Sequence, residues 1–124
     1  MMIESYKMLR FWQTARETNL LVYGLVKKLP NERPVWIISD QLFRACFSIG
    51  ANIAEGFGKY KGLEYARFLR MALGSANETR YWLELLQDFF LQLTALIDPA
   101  IDKNMETIKM LTATLKTLKN KQQS

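Results

Sequence analysis

Histidine is absent from this sequence, and cysteine occurs only once among its 124 residues. The absence of histidine excludes imidazole base catalysis, the Ser-His-Asp mechanism and the commonest zinc ligand. The one thiol, Cys46, excludes an intramolecular disulfide, and its place in the apolar pattern of a predicted helix favours a buried side chain. No metal-ligand spacing, phosphate-binding loop or nucleophile motif is present, so we expect a protein that is not an enzyme and needs no metal or cofactor.

Long apolar runs are missing as well. No segment approaches the roughly 18 apolar residues of a membrane span, and the first residues lack the apolar core of a leader peptide. We therefore expect a cytoplasmic protein without membrane contact. Hydrophobic residues make up 49% and charged residues 23% of the chain, which is typical of a folded protein, and the length predicts a single domain over residues 1–124.

Strict alternation of apolar and polar residues, which is typical of strands, is also lacking, whereas apolar residues recur at spacings of three and four. This pattern predicts four helices, at about residues 4–29, 39–57, 63–93 and 99–120. Ser39 and Asp98 fit the N-cap positions of the second and fourth helices, and Pro30 ends the first. Because the predicted connections are short, we expect an all-α fold, an antiparallel up-down-up-down four-helix bundle.

Each predicted helix has an apolar stripe that should face the core. On the first helix the stripe consists of Leu9, Trp12, Leu20, Tyr23 and Val26. On the second it consists of Leu42, Cys46, Ile49, Ile53 and Phe57. Those of the third and fourth helices are Leu69, Ala72, Leu73, Ala76, Leu83, Leu86 and Phe90, and Ile101, Met105, Ile108, Leu111, Leu115 and Leu118.

Several aromatic residues lie beside these stripes, namely Phe11, Phe43, Phe47, Tyr65, Tyr81, Trp82 and Phe89. A small monomer has little room to bury so many additional rings, which favours a homo-oligomer. The alternative is a wide core with half-exposed rings, since apolar atoms make up much of any protein surface.

A segment of small and polar residues, from Ser48 to Gly58, separates the longer apolar stretches. Gly50 falls in the middle of the second predicted helix, where glycine costs roughly 1 kcal/mol relative to alanine. A close approach of helices or an accurately placed polar site would offset this cost. We expect Gly50 or its alanine neighbours to face Gly74 and Ser75 of the third helix.

Polar residues recur on one face of the second helix and on a neighbouring face of the third. They are Arg44, Ser48, Asn52 and Glu55, and Glu64, Arg67, Ser75 and Glu78. We interpret them foremost as a structural network that fixes helix register or a subunit contact, with a site for a ligand or partner as the alternative. Acid and base chemistry by Glu55 with Glu64 or Glu78 is a further alternative, which only the proximity of the carboxylates supports.

Lysine and arginine outnumber aspartate and glutamate by 17 to 12, for a net charge of +5. The candidate nucleic-acid-binding residues are Lys59, Tyr60, Lys61, Arg67, Arg70, Lys116 and Lys119. Cations for phosphates beside a ring for stacking are the combination with which proteins bind single-stranded nucleic acid. Solvated lysines without a ligand are the commoner explanation of such a cluster.

Three segments resemble the signature of the four-helix bundle proteins encoded in intervening sequences of bacterial 23S rRNA genes. They are Ser48 to Gly58, Glu64 to Leu69, and Ala72 to Glu78. The resemblance covers nearly the whole chain and implies a four-helix bundle that assembles as a cyclic homo-pentamer. This family is also similar to the accessory proteins of diversity-generating retroelements, which are basic pentamers that bind nucleic acid and a reverse transcriptase.

The resemblance assigns no catalytic role. The motif positions that it carries over are Arg44, Ser48, Asn52, Glu55, Glu64, Arg67 and Glu78. The sequence departs from the family at Gly50 and Ala51, where the family often has Pro-Ser, so the second helix should be straighter here.

Two functions remain open from the sequence. The first is a non-enzymatic, oligomeric protein that binds RNA or DNA without sequence selectivity through its basic surface. The alternative is a scaffold or adaptor that recognises a protein, for example a polymerase or reverse transcriptase, and has no affinity for nucleic acid.

Overall fold

The computed structural model describes residues 5–59 and 62–123, which form four long helices. The helices are α1 (Arg10–Val26), α2 (Arg33–Phe57), α3 (Gly62–Phe89) and α4 (Thr94–Gln123), with short 3-10 turns at Tyr6–Met8 and Leu91–Leu93. Neither described range contains a strand. The prediction of an all-α protein with four helices is therefore confirmed.

The second helix begins at Arg33, earlier than the sequence pattern predicted. Glu32 has the extended backbone of an N-cap residue, and Pro34 lies in the first turn, where its missing N–H costs no helical hydrogen bond. Ser39 was therefore wrong as an N-cap, and it lies buried inside the helix. The first helix is shorter than expected, since the 3-10 turn at Tyr6–Met8 precedes it and Val26 ends it.

The fourth helix also begins earlier than predicted, at Thr94. Asp98 is not its N-cap, because Pro99 lies inside the helix and the Asp98 carboxylate accepts a hydrogen bond of 2.7 Å from Gln87 Nε2. That bond joins α4 to the last turns of α3. The third helix ends at Phe89, because the chain leaves it for the 3-10 turn at Leu91–Leu93.

The four helices share one apolar core. Each helix packs against the next one in the chain, and α1 also packs against α4. The largest fully buried apolar side chains are Val22, Leu42, Ile49, Ile53, Leu69, Leu83, Leu86, Ile97 and Leu111. Cys46 lies among them, and its burial raises the pKa of the thiol to about 12, so the side chain is an unreactive hydrophobe at neutral pH.

The predicted inner stripe of α1 was partly wrong. Leu20 and Tyr23 are 57% and 55% exposed, whereas Leu9, Trp12 and Val26 pack against the core from its edge. The residues of this helix that are buried are Phe11, Thr14, Ala15, Thr18, Val22 and Leu25. Two threonines occupy positions where the apolar pattern has a gap, which is why the pattern pointed to a neighbouring face.

These threonines belong to a buried polar layer between α1, α3 and α4. The Thr14 and Thr107 hydroxyls lie 2.6 Å apart, and the Thr18 hydroxyl donates to the Thr14 carbonyl at 2.9 Å. Asn104 Nδ2 donates to the Ala76 carbonyl across the α3–α4 contact, also at 2.9 Å. The threonine hydroxyls also have acceptors within their own helices, so the Asn104 bond is the one that depends on the alignment, and it favours one register of α3 against α4.

The close approaches at glycine differ from those expected. A Cβ atom on Gly50 would lie 3.4 Å from Nε1 of Trp12, so Gly50 faces α1. Apart from the local backbone and chain neighbours, no atom of the described residues lies within 4 Å of a Cβ built on Gly74. The tight contact between α2 and α3 is instead at Gly56, where a Cβ would lie 2.7 Å from Cβ of Phe68. A side chain at Gly56 would force the two helices apart.

The aromatic rings that lie beside the predicted apolar stripes differ in how deeply they are buried. Phe11 is buried in the core, and Phe43, Tyr65 and Trp82 pack against it. The rings that remain at least half exposed are Phe47, Tyr81 and Phe89. No helix in residues 5–59 or 62–123 is both long and apolar enough to cross a membrane.

Candidate functional site

An open groove with cationic walls lies between α3 and α4. It has a volume of about 610 Å³ and is lined by Ala66, Arg70, Leu73, Leu115, Lys116 and Lys119. We call these six residues the cation groove. Its three cationic residues form no ion pair with any described residue.

Helical periodicity explains how this groove is built. Ala66, Arg70 and Leu73 recur at spacings of four and three and therefore lie along one face of α3. On α4, Lys116 and Lys119 are three residues apart, next to the half-buried Leu115. The apolar residues anchor the walls to the core, and the three charged groups remain exposed to solvent.

Two other predicted cations are Lys59, shortly after the end of α2, and Arg67, in the second turn of α3. Lys59 Nζ is 3.4 Å from Oε1 of Glu55, and Arg67 Nε is 3.2 Å from Oε1 of Glu64. Both cations also approach the ring of Phe68, with Lys59 Nζ 5.1 Å and Arg67 Cζ 4.7 Å from its centroid. These charges are therefore already partnered within the chain, unlike those of the cation groove.

The ion pair between Glu64 and Arg67 shifts the pKa of both groups. The Arg67 hydrogen bond lowers the pKa of the Glu64 carboxyl, and the Glu64 hydrogen bond raises the pKa of Arg67. Tyr65 is half-buried, and burial raises the pKa of its hydroxyl. Tyr60 and Lys61, also predicted to bind nucleic acid, lie outside the described residues.

A polar contact joins α2 to α3 on another side of the protein. Arg44 pairs with Glu78, which also accepts a hydrogen bond of 2.9 Å from Trp82 Nε1. The Ser48 and Ser75 hydroxyls lie 2.6 Å apart across the same contact. We call these groups, Arg44, Ser48, Ser75 and Glu78, the polar contact.

Four residues of the predicted network, Asn52, Glu55, Glu64 and Arg67, do not reach across the helices. Asn52 Nδ2 donates to the Ser48 carbonyl of its own helix at 2.9 Å. Glu55 and Glu64 pair with Lys59 and Arg67 on the surface. Glu78, Glu55 and Glu64 each pair with a different cation, so nothing in the geometry favours a pair of carboxylates for acid and base chemistry.

Two residues that bond to the polar contact were not predicted from the sequence. Trp82 lies four residues after Glu78, and Gln41, whose Oε1 accepts from Arg44 Nη2 at 3.0 Å, lies three residues before Arg44. Both spacings place the side chains on one helix face, so the sequence contained the signal. Within residues 5–59 and 62–123, no three potential ligands from histidine, cysteine, aspartate and glutamate are placed to hold a metal ion.

Comparisons with known proteins match this helical architecture to one family. Residues 7–113 match the family model described as 23S rRNA-intervening sequence protein. The chain is 31% identical, with a TM-score of 0.77, to the crystal structure of a protein with unknown function from the S23 ribosomal protein family of Bacteroides thetaiotaomicron. The match covers 86% of this chain and 98% of that one, whereas no curated protein matches. The chain belongs to the 23S rRNA-intervening sequence protein family.

Proposed function

We propose that this protein binds nucleic acid, RNA or DNA, through the cation groove without sequence selectivity and without catalysing a reaction. The observation that carries the proposal is the presence of three cations around one groove with no carboxylate of a described residue paired to them. Other cations, such as Lys59, Arg67 and Lys103, have acidic partners within 4 Å. Unpaired cations gain most from an incoming phosphate because no internal ion pair must first break.

The lining of the groove accounts for the lack of selectivity. Its apolar residues are alanine and leucine, so the groove has no aromatic ring to stack on a base and no amide or acid to read a base edge. Contacts to phosphates position a strand but carry no direct information about its sequence. Binding should therefore follow charge and salt concentration.

The proposal includes the arrangement and the assembly of the helices. The four-residue connection between α2 and α3 favours an antiparallel bundle, and so does the order of two contacts between α1 and α4. Thr14 meets Thr107, whereas Glu17, further along α1, meets Lys103, which is earlier in α4. The exposed rings of Phe47, Tyr81 and Phe89 favour a homo-oligomer, for which the family resemblance suggests five subunits. We propose that this oligomer is cytoplasmic, since the sequence has no long apolar run.

The test is the binding of a fluorescently labelled single-stranded RNA at several salt concentrations. Three phosphate contacts should give a slope of log K against log salt of about −2, since each contact on a single strand contributes about −0.7. Reversing the three charges of the groove, with Arg70→Glu, Lys116→Glu and Lys119→Glu, should remove that part of the slope.

The matched control reverses three exposed cations around the connection between α1 and α2, with Lys27→Glu, Lys28→Glu and Arg33→Glu. This control changes the net charge by the same amount, so it separates a local site from the overall charge of the protein. The proposal predicts a much larger loss of affinity for the groove variant. Equal losses in the two variants, or no binding by the wild type at low salt, would contradict it. Mass measurement in solution, with and without RNA, tests the assembly.

The exposed aromatic rings also support a second candidate, an adaptor that binds a protein. Phe47 stacks on Phe43 with ring centroids 5.1 Å apart and is itself half exposed, which is a common arrangement at protein contacts. An adaptor would bind a partner such as a polymerase with the oligomer intact and would show negligible affinity for RNA. Under this alternative, reversing the charges of the cation groove would change neither the binding of RNA nor the binding of the protein partner.

A further inference from the structure

A second depression lies between α1 and α2, around the indole of Trp12. One part has a volume of about 250 Å³, and an adjoining part, which shares Trp12 and Arg16, has a volume of about 400 Å³. Three aromatic rings, of Tyr6, Trp12 and Phe47, line the first part. None of its residues was among the candidates for nucleic-acid binding in the sequence, and none belongs to the cation groove.

The depression exists because small residues face a large one. Gly50 and Ala54 form the wall on α2, and Trp12 lies over Gly50 from the α1 side. Tyr6 packs edge-on against Trp12, with ring centroids 5.2 Å apart, which helps to hold the indole in place. The glycine that lowers the stability of α2 thus leaves room for an opening at the surface that is lined by aromatic rings.

Polar groups around the opening lack partners. No described residue accepts a hydrogen bond from Trp12 Nε1, and none donates one to the buried Oδ1 of Asn19. Arg16 lies in both parts of the depression and forms no ion pair with a described residue. Glu17, on the rim, is already paired with Lys103 at 3.0 Å.

From these observations we infer that the Trp12 depression receives one base of a single-stranded nucleic acid, with the adjoining phosphate on Arg16. An aromatic base offers a flat apolar face to Phe47 and Trp12, and an amino group on its edge can donate a hydrogen bond to Oδ1 of Asn19. The inference rests on the proposed function in taking nucleic acid as the ligand. It adds a site for the base, which the cation groove lacks.

Size and charge favour a base over a peptide. A volume of 250 Å³ lies below the range of roughly 300–1,000 Å³ for pockets that hold drug-sized ligands, so it suits a single ring system. Arg16 and Lys7 supply the positive charge that a phosphate beside that ring requires. An apolar peptide would leave both cations without partners.

The test uses protein labelled with 5-fluorotryptophan, which has one fluorine resonance for each of the three tryptophans. The probes are a five-nucleotide oligoadenylate and an abasic ribose-phosphate strand of the same length and charge. We expect the Trp12 resonance, assigned with Trp12→Phe, to shift on addition of oligoadenylate and not of the abasic strand. The Trp36 and Trp82 resonances should stay in place.

Two variants measure the contribution of the depression to affinity. Ala51→Met places a flexible side chain in the opening from an exposed position, and Ala113→Met is the control at an exposed position of α4. Base stacking is worth about 1–3 kcal/mol, so Ala51→Met should weaken oligoadenylate binding by about 5-fold or more, and Ala113→Met should not. Arg16→Glu should weaken binding more than Lys28→Glu, which changes the charge equally.

The outcomes separate this inference from the proposed function. If oligoadenylate binds and the groove reversal abolishes binding while Ala51→Met has no effect, the base site is wrong and the proposed function stands. If Trp12 responds to bases while the groove reversal has no effect, the base site stands and the proposed groove is wrong. A Trp12 shift that equals that of the abasic strand, or that follows protein concentration alone, would also overturn the base site.

Discussion

Helix α3 takes part in two surfaces that differ in how their charges are satisfied. In the polar contact, Glu78 meets Arg44 and the Trp82 indole, and Ser75 meets Ser48. In the cation groove, Arg70 forms no ion pair with any described residue. The same helix thus holds α2 with internally paired groups and presents an unpaired charge beside α4.

This difference in pairing distinguishes residues that stabilise the fold from residues that can bind a ligand. A charge that is paired within the chain has exchanged part of its hydration for that partner, so a ligand would have to compete with the partner. An exposed cation without a partner contributes almost nothing to folding and remains available to an anion. Substitutions in the polar contact should therefore change stability, whereas substitutions in the cation groove should change binding.

The largest effect on stability is expected at Gly56, at the tightest point between α2 and α3. Because its new Cβ would lie 2.7 Å from Cβ of Phe68, Gly56→Ala should lower the free energy of unfolding by about 1–3 kcal/mol. Gly74→Ala is the control, since nothing lies within 4 Å of its Cβ, and it should raise the free energy by up to about 1 kcal/mol. Urea unfolding measures both, and a stabilised Gly56→Ala would contradict the close approach.

The serine pair in the polar contact should show a smaller, coupled effect. Ser48→Ala, Ser75→Ala and the double variant form a cycle, for which we expect a coupling free energy of about 0.5–1.5 kcal/mol in urea unfolding. The same cycle on Arg70 and Lys116 should give no coupling, since exposed groups without a mutual contact act independently. Additive serine substitutions would show that the serine pair contributes nothing to holding α2 against α3.

Binding should distinguish two arginines that are three residues apart on α3. Arg70 has no acidic partner among residues 5–59 and 62–123, so Arg70→Ala removes one phosphate contact and should weaken RNA binding about 5-fold near 0.1 M salt. Arg67 is paired with Glu64, so Arg67→Ala should weaken binding less than about 2-fold. Titration of labelled RNA measures both, and an equal loss would mean that internal pairing does not determine which cations bind.

The buried residues could be predicted from the sequence where a helix has a continuous apolar stripe, and not where the stripe is interrupted. On α2, the run from Leu42 to Ile53 has no gap, and its members proved to be fully buried. On α1, the presence of Leu20 and Tyr23 on the surface and of Thr14 and Thr18 in the interior made the stripe ambiguous. A threonine can be buried when its hydroxyl finds a carbonyl, but such partners depend on the tertiary structure.

The candidate cations could have been divided further from the sequence. Glu55 lies four residues before Lys59, and Glu64 lies three before Arg67, which are the spacings of helical ion pairs. No acidic residue lies three or four residues from Arg70, Lys116 or Lys119. Only the packing of α3 on α4 could show that these three form one groove.

The smallest effect, and the most specific one, is expected from Glu64→Gln. This change removes the ion pair of Arg67 without altering the cation groove, so it should strengthen RNA binding by about 2-fold at neutral pH. Glu32→Gln is the control, since it changes the net charge of the protein by the same amount. Arg67 lowers the pKa of the Glu64 carboxyl, so the pair persists at neutral pH and is lost only as the pH falls through that lowered pKa. Wild type and Glu64→Gln should therefore converge in acid, where both side chains are neutral. A difference that persists there would trace the effect to something other than the release of Arg67.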